Sequence, residues 1–380
     1  MQFSHHRLTR ILFLIGGLVF LIQSTLQAEP YFSAWTGLSC DACHVNQTGG
    51  YMRTTYGQFY GSHLQTFHWK GFVGETTPPH EKHQPYLTVG ADLYVNYEAN
   101  QGQSNFFINR QNFYADLHVN SKLAGVFTIT NLGLGENYLL IHGLPQEGFI
   151  KVGIFQVPYG LMLQDDNSLV RSPLGFSYQR VDEGMEMGMT PTWLNHHLMV
   201  CVDLINSTSP NLNAQQKLKA FSTWDLLTFR PFTLGWSYYQ NEGYIQAGSS
   251  STINTTPMQS LNSVFGWTHI SRFVILGEYD RGFDQNPQLL SIQYPLWAFH
   301  VSVETDLGHN VYLRYTREFL HPSPGDPNLI GLDSAPLLRQ VLSLRLFPIQ
   351  DLLTEFDFEV LSPQDSSTQE AFLATSHLFF

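Results

Sequence analysis

Tyr86-Leu87-Thr88-Val89-Gly90-Ala91-Asp92-Leu93-Tyr94-Val95-Asn96-Tyr97-Glu98 decides the fold. Leu87, Val89, Ala91, Leu93, Val95 and Tyr97 fall on one face of an extended chain, and Thr88, Asp92, Tyr94, Asn96 and Glu98 on the other. A period of two with one apolar face marks a strand, because successive side chains of an extended backbone point to opposite sides. The pattern returns near the other end of the chain. In 351–360, Leu352, Phe356, Phe358 and Val360 oppose Glu355, Asp357 and Glu359, and in 338–346 Leu342, Leu344 and Leu346 oppose Ser343 and Arg345.

Segments with weaker contrast fill the space between: 105–120, 122–131, 137–143, 148–157, 184–190, 194–206, 217–229, 232–241, 258–269, 272–281, 295–306, 310–319 and 370–380. Together they predict about sixteen strands, an even number of the kind that closes a bacterial outer-membrane barrel. Tight turns at Asn120-Ser121, Arg230-Pro231 and Pro348-Ile349-Gln350 alternate with longer polar connections near 159–183, 207–216, 242–257, 282–294 and 320–335. Short turns at one end and long loops at the other are the habit of transmembrane barrels. The last strand ends on Phe380, with Ala374, Phe372 and Leu378 on one face.

Composition agrees. Only 13% of the 380 residues are charged and 14% are aromatic, with a formal net charge of -12. A soluble protein carries charge at about 25% of positions. A soluble β-sandwich needs apolar inner faces and a charged exterior, whereas here the faces opposite the apolar stripes are polar and often ionisable. The acidic balance speaks against nucleic-acid binding.

The chain opens with a secretory leader. His5, His6, Arg7 and Arg10 form a basic region, residues 11–22 an uncharged apolar run, and residues 24–28 a small-residue exit with cleavage after Ala28. The apolar run of roughly 12 residues is short of the roughly 20 that a spanning helix needs, which favours a cleaved leader over an anchor.

The chemistry-bearing motif is Cys40-Asp41-Ala42-Cys43-His44. C-x-x-C-H is the attachment signature of a c-type haem. Two thiols at this spacing meet the two vinyl groups of the porphyrin, and the histidine that follows ligates the iron. Cys40 and Cys43 are therefore the covalent haem c attachment points and His44 the proximal axial ligand. Met52 and His63 are the nearest candidates for the sixth position, with His68, His80 and His83 further along. Methionine raises a haem potential and histidine leaves it lower. Arg53 is a candidate partner for a propionate, since a guanidinium matches a carboxylate in a bidentate fork; the other reading is a surface arginine. Tyr51, Tyr56, Phe59 and Tyr60 offer cover for the ring. The third cysteine, Cys201, lies in an alternating segment and reads as a packed strand residue.

The domain plan is a signal peptide at 1–28, a haem c-binding segment at 29–85 and an outer-membrane barrel at 86–380. The haem segment is too short for an ordinary independent core, so it either relies on its haem or docks at or inside the barrel mouth.

The whole mature chain resembles the fused monohaem c-type cytochrome–porins of bacterial outer membranes. The resemblance is carried by Cys40-x-x-Cys43-His44, by the G-G-x-x-R-T-x-Y-G run from Gly49 to Gly57, and by Val152-Gly153-Ile154-Phe155-Gln156-Val157-Pro158-Tyr159-Gly160, which is similar to a strand-end motif of porin-like barrels. It implies an all-β fold: a transmembrane antiparallel β-barrel of about 16 strands behind a short mono-haem cytochrome c segment. It implies location in the outer membrane of a Gram-negative bacterium, with the haem segment periplasmic or inside the barrel mouth. Members of this architecture include outer-membrane iron oxidases. The F-P-x-L-N-x-F-G-R pattern of that branch is absent from this sequence. In general porins the third outward loop folds into the lumen. For residues 159–183 this implies a constriction with Asp165, Asp166, Arg171, Arg180, Asp182 and Glu183, or else a solvated surface loop.

Three functions follow. The first is electron transfer across the outer membrane through the single haem, oxidising extracellular iron or another donor. Its partners would be a periplasmic carrier such as a soluble cytochrome and a small-molecule or metal-ion donor or acceptor. Asp92, Asp116, Glu355, Asp357 and Glu359 would tune the potential. The second is a diffusion porin with the haem segment as plug or periplasmic docking module, in which Arg110, Arg314, Arg339 and Arg345 favour anions. The third is a haem sensor or peroxidase with an open sixth position.

Overall fold

The computed structural model describes residues 30–38, 40–46, 48–49, 53–60 and 86–379, the last span without 101–102, 132, 166, 177–180, 194–195, 206–219, 230, 242–243, 247–253, 257–258, 286–292, 309, 322–335, 350–351 and 364–367. The leader, Met52, His63, His68, His80, His83, Asp166, Arg180 and Phe380 lie outside the described residues.

The strands in chain order are β1 (Leu87–Asn100), β2 (Gln103–Asn120), β3 (Leu123–Thr130), β4 (Gly133–Leu144), β5 (Gly148–Phe155), β6 (Asp182–Met189), β7 (Thr192–Trp193), β8 (His196–Ile205), β9 (Ala220–Phe229), β10 (Phe232–Asn241), β11 (Tyr244–Gln246), β12 (Asn254–Thr256), β13 (Gln259–Ile270), β14 (Phe273–Gln285), β15 (Gln293–Gly308), β16 (Val311–His321), β17 (Leu337–Ile349), β18 (Leu352–Pro363) and β19 (Gln369–Phe379). Each barrel strand pairs antiparallel with its neighbours, and β1 pairs with β19 to close the sheet. Leaving aside the two-residue β7 and the small β11–β12 hairpin, the wall has sixteen strands, one for each alternating segment of the sequence. Closure runs from Asp92 opposite Phe379 to Asn100 opposite Ala371, so the sheet has no free edge to pair with another chain.

The two faces of each strand meet different solvents. Val89, Phe113, Phe127, Val264, Tyr279, Leu342 and Phe358 point outward and are exposed. Asp92, Asp116, Thr128, Ser263, Asp280 and Ser343, on the opposite faces, are buried inside. Exposed large apolar side chains stud strands all around the barrel, which is a lipid-facing surface rather than a water-facing one.

Connections sort by end. At one end the strand ends are joined by connections of two or three residues, between β2 and β3, β4 and β5, β9 and β10, β13 and β14, β15 and β16, and β17 and β18. The strand ends at the other include those with the longest connections, after β5, β8, β10 and β16. The loop 156–181 is the third at this end.

Part of the lumen is packed. Inward-facing Trp224, Tyr239, Leu261, Phe265, Val274, Leu276, Leu296, Ala298, Leu320 and Leu337 form one apolar cluster with residues of the third loop and with Tyr31 and Ala34.

Candidate functional site

Two inserts occupy the lumen. The first is the N-terminal segment. Its helix Pro30–Thr36 lies against β13 and β14 and reaches β15 to β17 through its side chains. The Tyr31 hydroxyl donates to Ser302 Oγ at 2.5 Å, and Trp35 Nε1 donates to Glu304 Oε1 at 2.8 Å. The other oxygen of Glu304 accepts from Arg345 Nη1 at 2.9 Å. Arg314 and Arg345 stand over the Tyr31 ring at 5.2 and 5.8 Å from its centre, and Phe32 packs edge-on to Phe347. Cations over ring faces in a dry site add attraction beyond area burial.

The turn Cys40–Cys43 follows. It is one helical turn, continued by the His44 N–H bonding to the Cys40 carbonyl at 2.9 Å. Cys40 and Cys43 are half-buried, while His44 is 2% exposed. The glycine-rich run folds back over this turn. Arg53 forms a backbone bridge with His44, Thr54 N–H donates to the Cys43 carbonyl at 3.0 Å, and Thr54 Oγ1 donates to the Ala42 carbonyl at 2.9 Å. Thr54 also caps the short helix Thr55–Phe59 by accepting from Gly57 N–H at 3.1 Å. Gly57 must be glycine, since a Cβ there would lie 2.0 Å from the Cys43 carbonyl oxygen. The run thus holds the C-x-x-C-H turn. Burial, and after it the Cys43 thiol, raises the Tyr56 phenol above its usual range.

The donor set fits haem c in kind: two thiols three residues apart on one turn, with an imidazole on the next residue. Cys40 and Cys43 would form the thioethers and His44 would ligate iron. Arg53 is half-buried, reaches the Gly57 carbonyl at 3.4 Å, and is within electrostatic reach of Asp92 and His377 on the β1–β19 wall.

Beyond His44 the chain binds the opposite wall. Asn46 Nδ2 donates to Glu136 Oε1 at 2.9 Å, while Asn46 Oδ1 accepts from Lys151 Nζ at 2.6 Å. Lys151 also donates to Thr48 Oγ1 at 3.1 Å and pairs with Glu186 at 2.5 Å. Lys151, Glu186 and Glu136 are fully buried. Among the described strands Lys151 is the only lysine. That rarity is the one signal in the sequence that singles it out; its partners lie 105 and 103 residues away.

The second insert is the loop 156–181, the third at its end, which lies inside the lumen and not on the surface. Its Gly160 N–H donates to Ser237 Oγ at 3.0 Å, Leu161 N–H to Glu278 Oε2 at 3.0 Å, and Leu169 N–H to Glu318 Oε2 at 3.1 Å. Trp224 Nε1 donates back to the Gly160 carbonyl at 2.9 Å. Tyr159 stacks on Phe176 with centroids 4.2 Å apart. Burial, then Asp280 and Glu278, push the Tyr159 phenol well above its usual value. Arg171 is fully buried and donates to the Tyr159 carbonyl. Asp165 pairs with Arg339 at 2.7 Å, giving the constriction both charge signs.

Between the loop and the wall a passage remains. A vestibule of about 460 Å³ at the long-loop end is lined by Glu98, Glu359, Glu370, Arg339 and Asn96 among others. It continues into a neck of about 110 Å³ that reaches Tyr31 of the N-terminal helix, past Arg110, Gln164, Arg314 and Asp357. Arg314, Arg339 and Arg345, expected to favour anions, each face a carboxylate instead: Glu355 for Arg314, Glu318 and Glu359 for Arg339, Glu304 for Arg345. Paired guanidiniums in this wall set shape more than net charge. Cys201 is a buried residue of β8, as its alternation implied.

No protein-family model matches the chain, and no curated protein does. The fold is similar to solved outer-membrane proteins. The outer-membrane expressed OmpT of Vibrio cholerae aligns with a TM-score of 0.57 and 10% identity, over 77% of this chain and 97% of that one. The outer membrane channel DcaP of Acinetobacter baumannii aligns with a TM-score of 0.55 and 8% identity, over 77% and 97%. OprB of Pseudomonas putida gives 0.53 and 7%, over 77% and 94%. At these identities the likeness is one of fold.

Proposed function

We propose that this chain is an outer-membrane channel of porin type for small polar solutes. Its lumen is narrowed by the loop 156–181 and closed from the short-turn end by its own N-terminal segment, which carries one haem c on Cys40 and Cys43 with His44 as axial ligand. The observation that carries the reading is the passage: a closed wall, apolar outside, surrounds a polar vestibule and a neck that leads inward as far as Tyr31. The porin-like fold supports it, as does the loop folded into the lumen. A lipid bilayer is the surrounding partner, with short turns facing the periplasm.

A second reading, electron transfer, is favoured by one observation: the Cys40–His44 turn lies within the ring of the wall, its next residues bound to β4 and β5. A haem there supplies a one-electron couple shielded from lipid. It needs a periplasmic carrier, such as a soluble cytochrome, and an external donor or acceptor, iron or a small molecule.

Liposomes carrying the purified protein test both. Slow passage of small solutes above that of protein-free liposomes is expected, with a rate that His44→Ala leaves unchanged. Electron flow from an external reductant to an enclosed acceptor that is abolished by His44→Ala would make the second reading the better one. Solute passage no faster than in protein-free liposomes would refute the first.

A further inference from the structure

The two chambers of the passage carry a charge bias that their arginines do not cancel. Glu98, Glu359 and Glu370 line the vestibule, and Asp165, Glu355 and Asp357 line the neck. Against these carboxyl groups stand the guanidiniums of Arg110, Arg314 and Arg339 and the imidazole of His300. The single charge of Arg339 is divided among Asp165 at 2.7 Å and Glu318 and Glu359, each at 2.9 Å. Arg314 pairs with Glu355, and His300 Nδ1 lies 2.7 Å from Glu318 Oε1. Arg110 stands over the Tyr94 ring, 4.3 Å from its centre, within electrostatic reach of Asp92.

The excess is greatest where a solute enters. Glu98 is half-buried and Glu370 exposed, and among the described residues neither makes an ion pair. Glu98 accepts from the Asn100 amide at 2.8 Å, which leaves its charge in place. Asn96 stands where the chambers meet, since it lines both. It is 5% exposed, and its Oδ1 has no hydrogen-bond partner within the protein. A buried amide oxygen without a partner is costly unless something donates to it. Set among carboxylates, the group this oxygen calls for is a cation or the water bound to one. A narrow passage with low-dielectric walls and one sign of excess charge concentrates counter-ions inside it.

We propose that the vestibule and neck form a cation-selective filter, which admits small inorganic cations and protonated amines and rejects anions of the same size. The proposal rests on the channel reading above and names the class of solute that the channel takes. It reverses the anion preference that the arginines suggest by themselves. An arginine on a strand reads as a free positive charge until its partners are known, and those of Arg339 lie 20 to 174 residues away.

The test is the reversal potential of the full chain in planar lipid bilayers under a gradient of potassium chloride, with a mobility shift on boiling used to show that each variant has a folded barrel. Near ~0.1 M salt, potassium is expected to permeate about three times as readily as chloride or more. The ratio should fall toward one near ~1 M, where the Debye length shrinks from about 10 to about 3 Å. Glu98→Gln with Glu370→Gln removes the two unpaired charges at nearly constant size and is expected to lower the ratio about twofold. Asn96→Lys puts an ammonium at the junction of the chambers and is expected to bring the ratio to one or below. Glu147→Gln removes the same charge from an exposed turn at the other end and is expected to match the parent. A conducting parent with a ratio of one or below overturns the filter and leaves the channel reading standing. A double variant or an Asn96→Lys variant as cation-selective as the parent also overturns it, as does a Glu147→Gln variant that loses as much selectivity as the double variant. A parent that conducts nothing refutes the filter and the channel together.

Discussion

Gly160→Ala should detach the third loop from the lumen wall. Gly160 has φ of +58°, a conformation that costs an alanine about 1–2 kcal/mol. The added Cβ would also lie 1.6 Å from Glu278 Oε1 and 2.6 Å from its carboxyl carbon. Glu278 must then move, and with it goes the Leu161 N–H bond to its other oxygen at 3.0 Å. A bond to a charged acceptor contributes roughly 1.5–3 kcal/mol. The adjacent bonds from Gly160 N–H to Ser237 and from Trp224 to the Gly160 carbonyl are strained at the same time. Together the local penalty is about 3–5 kcal/mol, which shifts the loop toward the displaced state. Arg171 reports it. In the parent it is fully buried and donates to the Tyr159 carbonyl, so trypsin has no access to the bond after it. In the variant, limited trypsin digestion followed by mass spectrometry should find cleavage after Arg171. The barrel should still shift mobility on boiling, because Gly160 lies outside every strand. A variant as resistant at Arg171 as the parent would refute the account of how the loop is held.

Other outcomes follow from the same geometry. Covalent haem on Cys40 and Cys43 should leave peroxidase-active stain on a denaturing gel; Cys40→Ala with Cys43→Ala should abolish the stain while the boiling shift persists, and stain lost on denaturing the parent would exclude covalent attachment. Leu342→Lys, on the outer face, should lower unfolding stability in detergent–urea titrations by about 2–4 kcal/mol if it sits near the bilayer midplane, whereas Asn96→Lys, beside Glu98 and Glu359 in the vestibule, should change it far less. Arg345→Met removes the buried partner of Glu304 and Glu355, at 2.9 and 3.7 Å, and should cost about 3–5 kcal/mol in the same titration.

The strands were legible because membrane and lumen impose opposite demands on alternate residues, and each demand writes itself along a single strand. Contrast was sharpest at β1, β17 and β18. It was weaker at β13 and β14, and the structure shows why: their inward faces carry Leu261, Phe265, Val274 and Leu276, which pack the apolar cluster inside the lumen. These inward faces mix apolar residues with the polar Ser263, Glu278 and Asp280, so alternation fades. β7, β11 and β12 have two or three residues each, too few for any period to show. The C-x-x-C-H motif was equally readable, since its chemistry is fixed by spacing within five residues.

By itself the sequence determined the sixteen-strand alternating wall, the order of short and long connections, and the thiol–thiol–imidazole turn. All are local: neighbours along the chain carry the whole pattern. Only the tertiary structure decided what fills the barrel. Whether the third loop lies in the lumen depends on Ser237, Glu278 and Glu318, which stand 77, 117 and 149 residues from the backbone groups they hold. Whether the N-terminal segment enters the lumen at Lys151 and Glu136 depends on pairs 90 to 105 residues apart. Such pairings come from closing the sheet, which brings distant strands to face one interior. A polar residue on a strand announces that it faces inward, but not which insert it will meet there.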